Sequence, residues 1–285
     1  MTNVGVTGHP RVIVFGNTKG GTGKSTLAMH LAVVLLNRGL TVATVDLDGK
    51  QGTLTRYVGN RTSYVSRCNV EMALPDHHTL SPSQNESEFI EVLGKVVAND
   101  VVVIDTPGHD SELSRFVHSH ADIIITPIND SLIDLDVLAI VDPVKRLIQQ
   151  PSHYAERVWK AKQERAARDG GSVDWVVVRN RMGQLDARNK RLIGRLLDDL
   201  AKRIGFRTAD GIAERVIYRE LFLDGLTVED LAALQNRGNL AMSHVAARQE
   251  LRSLVMTLGL QSLLETDHAS VARTPSNVVG TRNGS

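Results

Sequence analysis

Seven consecutive residues hold the densest chemistry in the chain: Gly20, Gly21, Thr22, Gly23, Lys24, Ser25 and Thr26, within the stretch FGNTKGGTGKSTLAMHLA. A glycine, four residues and then Gly-Lys-Ser/Thr form a loop that cradles phosphates. The second half of that pattern is intact here, but position 18, where the first glycine belongs, is Thr. An additional cation, Lys19, stands ahead of the remaining glycines. The first N–H groups of a helix have no intrahelical partners, and the helix dipole adds positive charge, so a strand, loop and helix in this order bind an anion. Glycines let the backbone close around it. Lys24 reaches the β- and γ-phosphates, the Ser25 hydroxyl can ligate Mg²⁺, and Thr26 lies beside it.

Magnesium needs carboxylates near by, and it usually takes only one or two. Asp105, in VVVIDTPG, and Asp46, in TVATVDLD, are the residues expected to serve it. Gly108 can offer its backbone N–H to the terminal phosphate, with Pro107 fixing the turn. Hydrolysis requires a group that orients the attacking water. Asp48 is the expected one, because Asp46 and Asp105 are already committed to the metal. As a solvated turn residue it would do nothing.

These residues must be held by regular elements. Short apolar runs at 11–16, 41–48, 101–108, 121–130 and 174–181 read as strands buried on both faces. Helical patterns occupy 24–38, 86–99, 111–120, 131–149, 153–168 and 186–204, and then 211–222, 227–234 and 243–260. Strands alternating with helices describe an α/β fold with a mainly parallel twisted sheet and a helical C-terminal part. Such sheets place function at the carboxyl ends of the strands. Lys19, Asp46, Asp48, Asp105 and Asn180 all fall there. A flexible start (1–10), one domain (11–264) and a polar, disordered tail (265–285) are the expected organisation.

Composition narrows the function classes. The chain has 285 residues, 33 Lys+Arg against 32 Asp+Glu, and 4% aromatics, so attraction to nucleic acid must come from local clustering and not from overall charge. A single cysteine, Cys68, excludes an internal disulfide and any cysteine cluster within one chain. The start lacks a leader's basic and apolar regions, and no apolar run approaches the ~18 residues of a membrane span. A cytoplasmic protein without membrane attachment is expected. The histidine pair in PDHH (75–78) lacks a spaced partner and reads as structural, and the basic run at 157–168 reads as a solvated face.

The basic cluster at 179–207 holds nine Lys/Arg against three Asp/Glu. On a helix, Arg188, Arg191, Arg195 and Lys202 share one stripe, while Ile193, Leu196, Leu197, Leu200 and Ile204 gather opposite. Such a ridge suits phosphate contacts that position without reading sequence. The bland alternative is a solvated surface helix.

KGGTGKST resembles the deviant phosphate loop of the ParA/MinD family of P-loop ATPases, and DLDGKQGTLTRY and DTPG resemble its two switch segments. TPINDSLIDLDVL, FRTADGIAERVIYRELFLDGLTVEDL and HVAARQEL are more similar to a branch of that family, the division-plane positioning ATPases, with the likeness running from about Arg11 to Leu260. The resemblance implies ATP and Mg²⁺, and an ATP-bound homodimer in which Lys19 crosses to the partner's nucleotide. Gly20 would lie where the two loops meet, and Asn180 would contact adenine. It also implies non-specific DNA, ParB and FtsZ as partners, and a place on the nucleoid near ParB. Two departures matter. The ParA form Asp-Pro-Gln-Gly is replaced by DGKQG, and the chain ends in a polar stretch instead of MinD's membrane-binding helix. A ParA-type partitioning ATPase is the alternative, followed by a ligase of the dethiobiotin synthetase type.

Overall fold

Residues 9–81, 85–142, 144, 147–183, 187–234 and 241–260 are described by the computed structural model. Seven strands form one parallel sheet: β1 (Arg11–Phe15), β2 (Val42–Asp46), β3 (Asp76–Thr79), β4 (Val101–Asp105), β5 (Ile123–Asn129), β8 (Asp174–Asn180) and β9 (Arg207–Ala209). Their order across the sheet is β3-β2-β4-β1-β5-β8-β9. β4 shows why these residues form strands: VVVID is buried at every position. Its alternate side chains face opposite ways, Val101 and Val103 into one core and Val102 and Ile104 into the other. β-branched residues suit this two-sided burial, and each adds ~1.5–3 kcal/mol over an exposed state.

One core lies between the sheet and α1 (Lys24–Leu36), α2 (Thr53–Cys68) and α9 (Met242–Thr257). The other is covered by α4 (Glu112–His120), α5 (His153–Asp169) and α6 (Ala187–Ile204), with α3 (Glu86–Lys95) alongside. Asn85 begins α3 with a reciprocal capping box to Glu88, and Ser111 and Ser152 cap α4 and α5. No helix among the described residues is long and apolar enough to cross a membrane.

Several elements depart from the sequence reading. The helix expected at 131–149 is a 3₁₀ turn, Asp134–Val137, followed by an antiparallel pair, β6 (Ala139–Val141) and β7 (Ile148–Pro151). Pro143 lacks the N–H that a helix interior needs. The expected helices at 211–222 and 227–234 shorten to α7 (Ile217–Glu220), a 3₁₀ turn (Leu221–Asp224) and α8 (Leu231–Leu234). α2, β3 and β9 have no counterpart among the expected elements. The expected tail lies outside the described residues.

A buried ion pair ties α2 to that C-terminal segment. Arg61, fully buried, donates to both oxygens of Asp230 at 2.7 and 2.9 Å. It also donates to the carbonyls of Ala73 and Gly225, and Thr227 adds two donors to Asp230. Gly225 has φ 66°, and a side chain there would overlap the Arg61 backbone. Removing one partner leaves the other charge buried alone, which costs ~3–5 kcal/mol, whereas an apolar pair of similar volume is close to neutral. Asp230→Ala is therefore expected to lose roughly that much in urea unfolding, and Arg61→Met with Asp230→Leu to regain most of it. Equal losses in both variants contradict this.

Candidate functional site

The phosphate loop leaves β1 at Phe15 and enters α1 at Lys24. Gly21 and Gly23 take φ 74° and 90°, conformations that other residues rarely adopt. Asn17, which the sequence reading passed over, fixes the loop from both ends of its amide. It donates to the Pro127 carbonyl at 2.7 Å and accepts the Lys19 N–H at 2.7 Å. Its only signal in the sequence is a polar residue closely following an apolar strand.

Behind the loop the expected charged residues converge. Asp46 and Asp105 end neighbouring strands and face one another across the β2–β4 register. The Lys24 ammonium donates to the Lys19 carbonyl at 3.0 Å. Burial lowers its pKa, while Asp105 and then Asp48 pull it back up. Burial raises the Asp105 pKa to about 7; the Ser25 hydrogen bond and Lys24 oppose this, and Asp46 and Asp48 reinforce it. One Asp105 oxygen, Oδ1, is buried with no partner.

The two strand-end aspartates differ in what they have left to offer. Asp46 takes the Asp48 N–H on Oδ1 and both the N–H and hydroxyl of Thr55 on Oδ2, all at 2.9 Å. Of the two, only Asp105 retains an orphaned oxygen, and the Ser25 hydroxyl interacts with the same carboxyl group. A divalent cation fits there, since an orphaned carboxylate oxygen and a hydroxyl are what a hard cation binds. No group of three His, Cys, Asp or Glu among the described residues could hold a metal. Phosphate and water would have to complete the shell.

Asp48 is partly exposed at the start of the next loop, with its Oδ1 accepting the Gln51 N–H at 3.3 Å. Gly108 packs directly on the phosphate loop: a side chain there would come within 3.0 Å of the Gly20 backbone. A side chain at Gly20 itself would meet nothing within 4 Å in this chain. Thr22 is buried with its hydroxyl unpartnered. Lys19 is turned to its own chain, donating to the Ile133 carbonyl at 2.5 Å and to Asp134 at 3.3 Å.

Asn180, at the end of β8, donates to the Thr22 carbonyl at 2.8 Å and lines a cavity of about 70 Å³ with Gly23, Thr26, Arg181, Tyr218 and Arg219. On α6, Arg191, Arg195 and Lys202 are exposed, and Ile193, Leu196, Leu197 and Leu200 are buried. The Arg188 side chain lies outside the described residues.

A family model described as ATPase MipZ matches residues 11–262. The chain belongs to the MipZ ATPase family. Curated relatives include the Protein ParA of Rhizobium radiobacter, 26% identical over 44% of this chain, and the virC1 protein of the same organism, 30% identical over 44%. The chain spans about half the length of these relatives, 52% of each. Solved structures of similar fold include apo McdA from Cyanothece, with TM-score 0.57, 18% identity and 85% of this chain and 100% of that one covered. A substituted Cyanothece McdA in complex with ATP scores 0.59 at 17% identity, covering 88% and 97%. The MinC:MinD complex of Aquifex aeolicus contributes a chain that scores 0.53 at 16%, covering 86% and 95%. The fold is that of the ParA/MinD P-loop ATPases.

The raised Asp105 pKa has a definite pH signature. The ligand-free folded state holds a proton there that the unfolded chain has released, so this contribution is full below about pH 4 and lost as pH rises through about 7. Asp105→Asn removes the titration. Wild-type melting temperature should therefore fall relative to Asp105→Asn between pH 4 and 8 without nucleotide. A constant difference across that range contradicts the assignment.

Proposed function

We propose that the protein is a slow, Mg²⁺-dependent ATPase that works as a dimerisation switch. ATP joins two copies, hydrolysis separates them, and the dimer binds DNA without reading its sequence. The observation that carries this reading is Lys19. It is a cation at the rim of a phosphate loop, one-third exposed, whose present partners are a carbonyl and one carboxylate of a neighbouring turn. An ammonium so placed can exchange them for a phosphate held by a second copy. Charge neutralisation of that kind is what phosphoryl transfer needs. Exposed Gly20, bare of any side chain, leaves room for the two loops to meet.

Each site residue then takes a role. Lys24 and the N–H groups of residues 20–26 bind the phosphates, Ser25 and Asp105 hold Mg²⁺, and Gly108 offers its N–H to the terminal phosphate. Asp46 acts as a brace for the loop that follows it, not as a direct ligand. Asp48 orients the attacking water, and Asn180 recognises adenine from the cavity beside Gly23. The magnesium ion supplies positive charge against the phosphates as the bond breaks.

Arg191, Arg195 and Lys202, with Arg188, form the DNA ridge. Helix α6 is docked by its apolar face, which leaves the basic face outward. One ridge neutralises few phosphates and a dimer doubles them, so nucleotide-gated pairing gates DNA binding. ParB and FtsZ, as partners in placing the division site, rest on the family resemblance. The partial match to a ParA protein supports the alternative of a partitioning ATPase, which would leave FtsZ assembly untouched.

Size measurement tests the switch. Asp48→Ala should persist as a dimer with ATP but not with ADP, and Lys19→Ala should bind ATP yet remain a monomer. Normal ATP turnover by Asp48→Ala, or a full-strength ATP dimer of Lys19→Ala, contradicts the scheme. Replacing both Arg191 and Arg195 by Ala should weaken DNA binding and reduce its salt slope by about 1 per lost contact, with ATP affinity unchanged. Unaltered DNA affinity at low salt removes α6 from the account.

A further inference from the structure

The edge strand β3 carries a histidine wired into the loop that bears Asp48. His77 is half-buried and lies opposite Thr44 in the β2–β3 register. Its Nδ1 is 2.9 Å from the Thr44 hydroxyl, and its Nε2 is 3.1 Å from the Thr55 hydroxyl. Thr55 in turn donates to Asp46 Oδ2, whose other oxygen receives the Asp48 N–H.

Hydrogen bonding dictates the direction of this chain. Asp46 has a backbone N–H on each oxygen, from Asp48 and from Thr55, so it accepts at both. The Thr55 hydroxyl has one proton and gives it to Asp46. Towards His77 its oxygen can then only accept, so Nε2 carries the hydrogen. In the neutral ring Nδ1 is bare, and the buried Thr44 hydroxyl donates to it. Burial favours that neutral ring by lowering its pKa, with Asp46 and Asp76 pulling it up and His78 pushing it down. The result is one unbroken line of donors from Thr44 through His77 and Thr55 to Asp46.

We propose that His77 is a positioning residue for ATP turnover: acting through Thr55, it locks the orientation of the Asp46 carboxylate and so fixes the backbone at Asp48. Its ring nitrogens are both engaged by threonine hydroxyls, so it acts through them and not as a catalytic group. The inference rests on the reading that the loop after Asp46 carries the group that orients the attacking water. An edge strand needs no imidazole for its own sake, since a β-branched residue fits a pleated, half-buried surface better. Holding a carboxylate by three donors, one of them itself held, removes the rotational freedom that would let Asp48 wander. Small misplacements of such groups reduce rates strongly.

The test uses the full chain and two independent cuts in the line. Thr55→Val is close in shape and lacks the hydroxyl, and His77→Phe keeps a ring without nitrogens. Melting curves first establish that each variant is folded. Both should lower kcat by roughly 3- to 10-fold, the worth of a hydrogen bond, with KM and the affinity for a non-hydrolysable ATP analogue within about twofold of wild type. Thr55→Ser and His77→Gln, which retain a hydroxyl and a donor near Nε2, should recover most of the rate. The double variant His77→Phe/Thr55→Val should be no slower than the worse single, because the two residues act in series. A wild-type kcat in folded His77→Phe, or losses that multiply in the double variant, overturns the proposal whatever Asp48→Ala does. If instead His77→Phe is slow while Asp48→Ala turns over normally, His77 acts by another route, and the proposal falls together with the water-orienting role of Asp48.

Discussion

A buried carboxylate with an oxygen that nothing satisfies is costly, and the fold places one at its functional centre. Asp105 ends a strand whose every side chain is buried, and it faces Asp46 across the sheet. Lys24 and Ser25 answer only part of its charge. Desolvation therefore holds the carboxyl close to neutrality in the ligand-free chain. A cation arriving with a phosphate would answer both the orphaned oxygen and the repulsion between strand ends. The proposed site for a nucleotide and magnesium rests on that unresolved electrostatics as much as on the glycine pattern.

The surrounding structure keeps the imbalance from relaxing. Asn17 pins the phosphate loop to β5, and Gly108 lies so close to Gly20 that a side chain there would press on the loop backbone. On the other side, Asp46 braces the start of α2, and Arg61 on α2 is locked to Asp230. The segment that contains Asp230 also supplies Tyr218 and Arg219 to the cavity beside Asn180. The glycine loop and the cavity beside Asn180 are thus bordered by elements joined through one buried ion pair.

Much of this is legible in the residues. Two-sided burial writes itself as unbroken apolar runs, which locate β1, β2, β4, β5 and β8, and the Gly-Lys-Ser-Thr loop with them. The edges are harder. β3 reads Asp-His-His-Thr, half-exposed and polar, and carries no hydrophobic period. α2 places the buried Arg61 on the same face as Leu54, Tyr57 and Val58, so its apolar stripe is short and broken by a charge. The hairpin β6–β7 sits outside the main sheet, in a stretch whose Ile and Leu spacing imitates a helix. Asp46 illustrates a further limit: composition marks an acidic strand end but cannot show that both its oxygens are already engaged. In the sequence His77 is one of a pair without a metal partner, because its role depends on which strand lies beside it.

Lys19 remains the residue on which the account turns. In the isolated chain it is held by the turn at 133–134, whereas a switch that works by pairing requires it to exchange those partners for a phosphate across the interface. The most direct measurement is a structure of the Asp48→Ala chain bound to ATP and magnesium. The account requires the ammonium of residue 19 to have left the Ile133 carbonyl and to lie against a phosphate bound by the opposite copy. A nucleotide enclosed by one copy alone, with that ammonium still on Ile133 and Asp134, contradicts it.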